Sequence, residues 1–564
     1  MKFFSTLLVL AVLCITGCDC PDCGNVVSSA NVNTIFVTKT PGGDFKLDPE
    51  KIIVQSSCNW AATNMTPLYL DFANTNGTGG VHYLPIGLTP EFFAAVAADI
   101  NNFPEDATGD RKIGTVHFDS SCEGGFDVHV YLKGMFVLHF EANGGDGITP
   151  PDVVFVLGED LLIPASGGMA YSPKNFVGWG SRPDGKGRFY KDGRTATFSG
   201  NTTLHAMWSG DGSPEGGPMY IYNHQTLNNV RNTMTVRRNY LVIADFDANY
   251  DEVLDVRHDS WTPIGQYYVA EDYIFYGVFD GNGHHITYTT NYTGGSNQRA
   301  IGLFGYIGNL GVLKNLTVSG YVDGGSYGGS TGGIVGTLFS GGTVTHCVSM
   351  CTVIHSAGDH NATNGAAGIV GDARIGSTVA YCVSTGDVLC ETSNINYAAQ
   401  AYAGGITGIR AGVVNYCIST SKVTARSGNY SYAGGIVGGH SSDNINQERV
   451  EYNVALNQRI TSIGHSTNAA RSAAGRVISN LYSNPGGTHF MDNNYALTDM
   501  LVQLFTNPAA TITDPGRIGL DKIDGANVSS SDTQDPAWWT SKGFTDTNWD
   551  FTHFASNGYP LPKQ

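Results

Sequence analysis

The chain has 564 residues, of which 73 are glycine and only 14% are charged; this excludes coiled coil and disorder and points to turn-rich β-structure in more than one domain. Lys plus Arg number 31 against 49 Asp plus Glu, a net charge of −18. No basic run of five or more occurs, so nothing draws a phosphate backbone and nucleic acid is not an expected partner.

The N-terminus opens with Lys2 and the apolar run FFSTLLVLAVLCI, then Gly17 and Cys18. That run is too short for a stable membrane span, and small residues before a cleavage point fit a secretory signal over residues 1–17. Ile15-Thr16-Gly17-Cys18 also resembles the bacterial lipobox, whose signal peptidase cuts before a cysteine that already carries diacylglycerol. The resemblance implies lipidation at Cys18, a tether over residues 18–30, and a membrane as partner through that lipid. The expected location is the bacterial cell envelope, at the outer membrane or cell surface, with each buried acyl methylene contributing about 0.8 kcal/mol.

Of eleven cysteines, Cys14 leaves with the signal and Cys18 takes the lipid, so nine remain and a fully paired disulfide framework is excluded. Cys58 and Cys122 share one expected domain and an oxidising compartment in which to pair. The Cys20-x-x-Cys23 pair has no βα pattern beside it and carries no expected redox or metal role.

Residues 31–135 read as a small α+β domain. TIFVTK is strand-like, and GTVHFDSS and FDVHVYLKG alternate in period two. TPEFFAAVAADINNF reads as a helix with Thr89 as N-cap, Pro90 in its first turn, and Phe93, Val96 and Ile100 on the apolar face. No site is legible in this region.

Over residues 136–209, FVLHFEANGGDG ends a strand in a glycine turn, NFVGWGSRPDGKG places aromatics around Gly178, and NTTLHAMW closes on an alternating strand. Phe140, Asn143-Gly144-Gly145, Phe176-Val177-Gly178-Trp179, Thr203-Leu204, Ala206 and Trp208 together resemble the Listeria-Bacteroides repeat of internalin-type surface proteins. That resemblance implies a β-grasp-like spacer or adhesive module. Trp179 and Trp208 are expected to be core aromatics. SGDGSPEGGP, Ser209 to Pro218, then has a linker's composition and marks a boundary.

From 219 to 564 a unit repeats. Its tetrapeptide of glycine, apolar residue, any residue and glycine starts at Gly302, Gly333, Gly368, Gly405 and Gly435, spaced by 31, 35, 37 and 30 residues, with a worn sixth copy expected at Gly475. Apolar residues alternate within each copy and glycines separate short runs, so the units are strands and turns stacked into a solenoid. Coils about 4.8 Å apart bring like residues into ladders. Cys347, Cys382 and Cys417 occupy equivalent places, with Asn315 and Asn453 in the flanking copies. Beside them run Leu316, Val348, Val383, Ile418 and Val454, expected to fill the coil interior. His346, adjacent to Cys347, points to the opposite face, so the thiols are expected to be structural ladder residues and no metal is expected there.

The tetrapeptides look like the GLUG motif, and Trp261-Thr262-Pro263-Ile264-Gly265, Phe279-Asp280-Gly281-Asn282-Gly283-His284 and the tail from Val528 are similar to the usual lead-in and closing segment of such arrays. The resemblance implies a right-handed β-helix with a C-terminal cap, of the kind found in bacterial adhesins, surface lipoproteins and some immunoglobulin A peptidases. In those peptidases the catalytic part lies outside the repeats, and the sequence has no HExxH.

Between Gly333 and Gly438 the only carboxylates are Asp359, Asp372, Asp387 and Glu391, with no two on equivalent rungs near a basic residue, which argues against a carbohydrate-processing β-helix. Asp245 to Asp251 imitates the start of an EF-hand loop, but Tyr250 and Val256 stand where Gly and Glu are required. Gly324-Gly325-Ser326-Tyr327-Gly328 matches GxSxG without a strand-to-helix context. Tyr402, Tyr430 and Tyr432, expected in inter-strand loops, offer stacking faces for sugars. The expectation is a mainly β, lipid-anchored surface protein for adhesion or ligand binding, not an enzyme and without cofactors, with a host protein or glycan as partner. A carbohydrate-processing enzyme and a passive stalk are the alternatives, and no binding residue is identifiable.

Overall fold

A computed structural model describes residues 29–30, 34–39, 45–56, 59–78, 80–98, 103, 110–121, 125–234, 236–265, 274–292, 299–358, 363–393, 400–409, 412–439, 448–464, 472–479, 490–505, 510–511 and 515–564. Cys18, Cys20, Cys23, Cys58, Cys122 and Asp359 lie outside the described residues, and with them the signal, the tether and the Cys58–Cys122 pairing. The chain divides into two compact units. One comprises residues 1–170, 177–181 and 190–206; the other comprises 171–176, 182–189 and 207–564. The division therefore passes through the strands Asn175–Gly180 and Thr202–Ser209 rather than falling in the 209–218 linker.

In the first unit, Arg111–Ser120 pairs antiparallel with Phe126–Leu132, which in turn pairs parallel with Thr34–Lys39. The helix Pro90–Ala98 covers this core, its start held by Phe92 N–H donating to Thr89 Oγ1 at 3.2 Å. Phe92, not Phe93, faces inward. Phe92 is fully buried in a T-shaped contact with Phe45 at 5.7 Å, while Phe93 is 44% exposed. Residues four apart on a helix share a face, and Phe92 with Val96 forms that pair; Ile100 lies outside the described residues. Further along, Met135–Glu141 pairs antiparallel with Val153–Val156 and parallel with Thr202–Ser209. The first and last strands of this stretch thus lie side by side in parallel. Phe140 meets Trp179 edge to face at 4.8 Å, and the Trp179 indole N–H donates to Pro164 O.

The second unit is a parallel β-helix. Each coil follows one path, shown by the third. Thr343–Thr345 belongs to a narrow nine-stranded sheet, and Val348–Ala357 to a broad fourteen-stranded one. Thr363–Ala367 and Val370–Ala373 then enter six- and five-stranded sheets that meet at Gly368-Ile369. Successive coils pair in parallel, as in Val344↔Val379↔Val414↔Val450.

The tetrapeptide glycines follow from how thin the coil is at that corner. A Cβ at Gly368 or Gly405 would collide with Ser384 Oγ or Ser419 Oγ, both on the broad sheet opposite. A Cβ on the closing Gly438 would run into Gly408 O. A side chain at the first place would prise opposite sheets apart, and one at Gly438 would push apart neighbouring coils. In the last coil Gly434 pairs with Gly475, so the worn copy begins one residue later, at Arg476. There the Arg476 guanidinium donates to Leu497 O, Asn527 Oδ1 and Gly525 O.

Between narrow and broad sheets the chain turns sharply through one left-handed residue per coil: Asn315, His346, Tyr381, Tyr416, Tyr452 and Asn493, with φ between 51° and 59°. This fixes the ladder register. Cys347, Cys382 and Cys417 align with Leu316, Asn453 and Asn494, so Asn315 belongs to the turn and not to the thiol ladder. The strand pairings put Thr317, rather than Leu316, level with Val348. The left-handed backbone costs roughly 1–2 kcal/mol per residue. Stacking of His346, Tyr381, Tyr416 and Tyr452 at 4.8, 5.2 and 4.8 Å offsets part of that cost, at about 0.5–1.5 kcal/mol per pair.

The residues after the ladder overturn a second expectation. Val348, Val383, Ile418 and Val454 point away from the coil interior and form a separate core with Trp539, Phe544, Trp549 and Phe554. Residues 530–564 are thus a strap along the column's side rather than a cap on its end. Trp538 meets Tyr495, Phe544 meets Tyr416 and Trp549 meets Tyr381, while Asn548 Oδ1 lies 3.3 Å from His346 Nε2. Gln564 Nε2 donates to His346 O, and Thr317 Oγ1 donates to Gln564 Oε1. Each seam aliphatic contributes about 1.5–3 kcal/mol when fully buried.

Candidate functional site

The thiol ladder lies inside the coil. Cys347, Cys382 and Cys417 are fully buried, and each Sγ donates to the carbonyl two residues back, Thr345, Ala380 and Asn415, at 3.2, 3.2 and 3.3 Å. Burial pushes the Cys347 and Cys417 thiols up. Above them the ladder turns polar. Cys417 N–H donates to Asn453 Oδ1, and Asn453 Nδ2 donates to Val414 O and Asn494 Oδ1. These buried amides satisfy one another.

The expected sugar-stacking tyrosines are not in loops. Tyr402 sits in the strand Gln400–Gly404 and is nearly buried; Tyr430 and Tyr432 sit in Tyr430–Gly434, with the Tyr402 and Tyr432 rings stacked at 4.7 Å. Gly324 to Gly328 is a loop. The carboxylates separate: Asp372 is buried beside Arg374 at 3.5 Å, and Glu391 accepts from Ser356 Oγ at 2.9 Å with Arg426 on the next rung at 3.4 Å.

What the geometry assembles instead is a groove between the broad sheet and the strap, about 940 Å³ in volume. One wall carries Asp387, Lys422 and Arg459, each the residue just before Val388, Val423 and Ile460, which pair in register on consecutive coils. The other wall is the strap, with Gln534 and Tyr559. Burial pushes the Tyr559 phenol up, which keeps its hydroxyl a neutral donor, although a bond to Thr420 works the other way. A ring, an amide and charges of both signs along one trough can bind a polar, hydroxyl-rich chain. The charged wall is periodic and could have been read from the sequence. The opposite wall comes from folding back of the strap, which leaves no periodic signal.

A second cluster escaped sequence reasoning altogether. His224, Asp251 and His258 place one donor atom each within 4.8 Å of one another, at the start of the column. The imitation EF-hand loop does not converge: Asp245 Oδ1 accepts from His285 N–H, Asp247 Oδ2 pairs with Arg257, and Asn249 Nδ2 donates to His258 O and Thr289 O. Only Asp251 of that run joins the histidines.

No protein-family model matches the chain. Over 164 residues, 27% of the chain, it is 33% identical to Halomucin of Haloquadratum walsbyi, of which that stretch is 2%. Over 112 residues it is 35% identical to the "Putative Gly-rich membrane protein" of Evansella cellulosilytica, 20% of this chain and 12% of that one. The chain thus spans a small fraction of the length of these relatives. A crystal structure of a "putative immunoglobulin A1 protease" from Bacteroides ovatus superposes with a TM-score of 0.46 at 20% identity, over 63% of this chain and 94% of that one. Among the described residues, no helix is long and apolar enough to cross a membrane.

Proposed function

We propose that the protein is a lipid-anchored component of the bacterial cell envelope that binds a glycan in the groove between column and strap. The observation carrying this reading is the register of Asp387, Lys422 and Arg459 on consecutive coils facing Tyr559, since a ligand of repeating units suits a wall of repeating rungs. The cell-envelope location is supported by Lys2, the apolar run and the lipobox-like Ile15 to Cys18, and by a relative named as a membrane protein. In this reading Cys18 carries the lipid, the unit over residues 136–209 is a Listeria-Bacteroides-type spacer, and the column is a GLUG array that presents the groove. The role is adhesion or ligand capture without a catalytic step.

A glycan array probed with the full chain tests the reading. Binding is expected, and Lys422→Ala or Tyr559→Phe is expected to reduce it. Binding that survives both changes would move the site elsewhere, and binding to extracellular-matrix proteins alone would replace glycan with protein as the partner. Metabolic labelling with a fatty acid, lost in Cys18→Ala, tests the anchor separately.

A further inference from the structure

The stretch from Met219 to Val242 forms the first rungs of the narrow sheet, and between them lies the short helix His224–Asn229. Asn223 caps that helix in a reciprocal box with Thr226, which sets His224 at its first turn. Beside the helix, Tyr250–Asp251 and Val256–Arg257 form a small hairpin. Helix and hairpin are held at their edges by single polar contacts, among them Asn223 Nδ2 to Glu252 Oε1 at 2.8 Å.

Three side chains converge where the two meet, buried Asp251, half-buried His224 and exposed His258. The His224 Nδ1 lies 2.6 Å from Ala248 O; a carbonyl only accepts, so Nδ1 carries the proton and Nε2 keeps its lone pair. A backbone carbonyl on the far nitrogen is the usual support for a metal-bound imidazole. The His258 ring stacks on the His224 ring at 4.7 Å and 17°, and its backbone is held at both ends by Asn249, which is almost fully buried. Asp251 is 4% exposed, and its Oδ1 accepts from Val253 and Leu254 N–H at 3.0 and 3.2 Å. A buried carboxylate beside two imidazole nitrogens calls for a cationic partner. A divalent cation supplies one.

We propose that His224, Asp251 and His258 bind a divalent transition-metal ion, best matched by zinc, that clips the helix to the hairpin at the first coils of the column. Two nitrogens and one carboxylate oxygen suit zinc and its neighbours, whereas calcium takes six or more oxygens. Three protein ligands leave one position for water. The clip answers a structural need, because the end of a parallel stack exposes unpaired backbone and apolar rungs.

The test is equilibrium dialysis of the metal-stripped full chain against Zn2+, with thermal unfolding measured alongside. One Zn2+ retained per chain is expected, with a higher unfolding temperature, and both effects should disappear in Asp251→Asn and in His258→Ala. His139→Ala, which removes an exposed histidine paired with Asp152 elsewhere in the chain, should change neither. Should the site variants fail to fold, Co2+ added to the unaltered chain reads the site directly, since bound tetrahedral Co2+ absorbs strongly in the visible. Retention of Zn2+ unchanged in both site variants, no retention in the unaltered chain, or Co2+ spectra of the hydrated ion alone would each overturn the proposal.

Discussion

Cys382 and Val383 are neighbours in the chain but serve two different cores. Cys382 is enclosed by the coil, stacked between Cys347 and Cys417, where each rung is covered by a near-copy of itself. Val383 is covered by Trp539, Phe544 and Trp549, aromatics from a segment that repeats nothing. The interior is thus stabilised by self-similarity and the seam by a single non-repeating partner. A defect in the interior is local to a coil and its neighbours, while a defect in the seam is felt along every coil the strap crosses.

The largest effect that would sharpen this contrast is expected at Trp539, fully buried with its indole N–H donating to Thr533 O. Trp539→Ala should cost about 3–5 kcal/mol. The expected outcome in limited proteolysis is cleavage within residues 530–564 while the column stays intact. Simultaneous cleavage of both would show that strap and column are one cooperative unit.

Next comes His355, an interior residue whose Nδ1 lies 2.8 Å from Thr331 Oγ1 and whose basicity burial lowers to about 4. The unfolded chain takes up a proton near pH 6.5 and the folded chain does not until about pH 4. Stability should therefore fall as pH drops through that window, by at most ~3 kcal/mol. Urea titrations at several pH values should show His355→Gln with a shallower decline than the unaltered chain. Equal slopes would mean that the imidazole is hydrated when folded.

A smaller loss, about 1–3 kcal/mol, is expected for Gly368→Ala, because its Cβ would meet Ser384 Oγ. Adding Ser384→Gly should restore part of the lost unfolding temperature; no restoration would assign the cost to the Gly405 carbonyl instead. The smallest perturbation uses the thiols as reporters. Burial pushes Cys351 and Cys390 up to about 12. An alkylating reagent at neutral pH should leave the five buried cysteines of the column unmarked until denaturant is added, and Trp539→Ala should not change that if the two cores are independent.

The interior was legible because repetition makes every rung predict the next: the glycine tetrapeptides, the parallel coils and the thiol ladder all follow from a period. The slip at Asn315 arose because the left-handed turn residue varies among Asn, His and Tyr, and only its backbone angle shows that these positions are equivalent. The seam was misread for a related reason. Alternation tells which residues are apolar, and Val348 through Val454 are, but it does not tell which of two buried sides they face. The charged wall of the groove lay in the repeat, whereas its tyrosine wall and the His224, Asp251 and His258 cluster join residues from separate, non-repeating stretches. Phe92 and Phe93 are adjacent aromatics at the start of a helix, where periodicity alone does not choose between them.

The strap also bears on how such a column can lengthen or shorten. A coil added or removed leaves both its neighbours with the same kind of surface, so duplication is inexpensive where nothing spans the stack. Beneath residues 530–564 the situation differs, because the contacts at Tyr416, Tyr381 and His346 are spaced by whole coils. Losing one coil there would put every later contact out of step by about 4.8 Å. The strap therefore works as a ruler, fixing the number of turns it spans while leaving the uncovered stretch free to change in length.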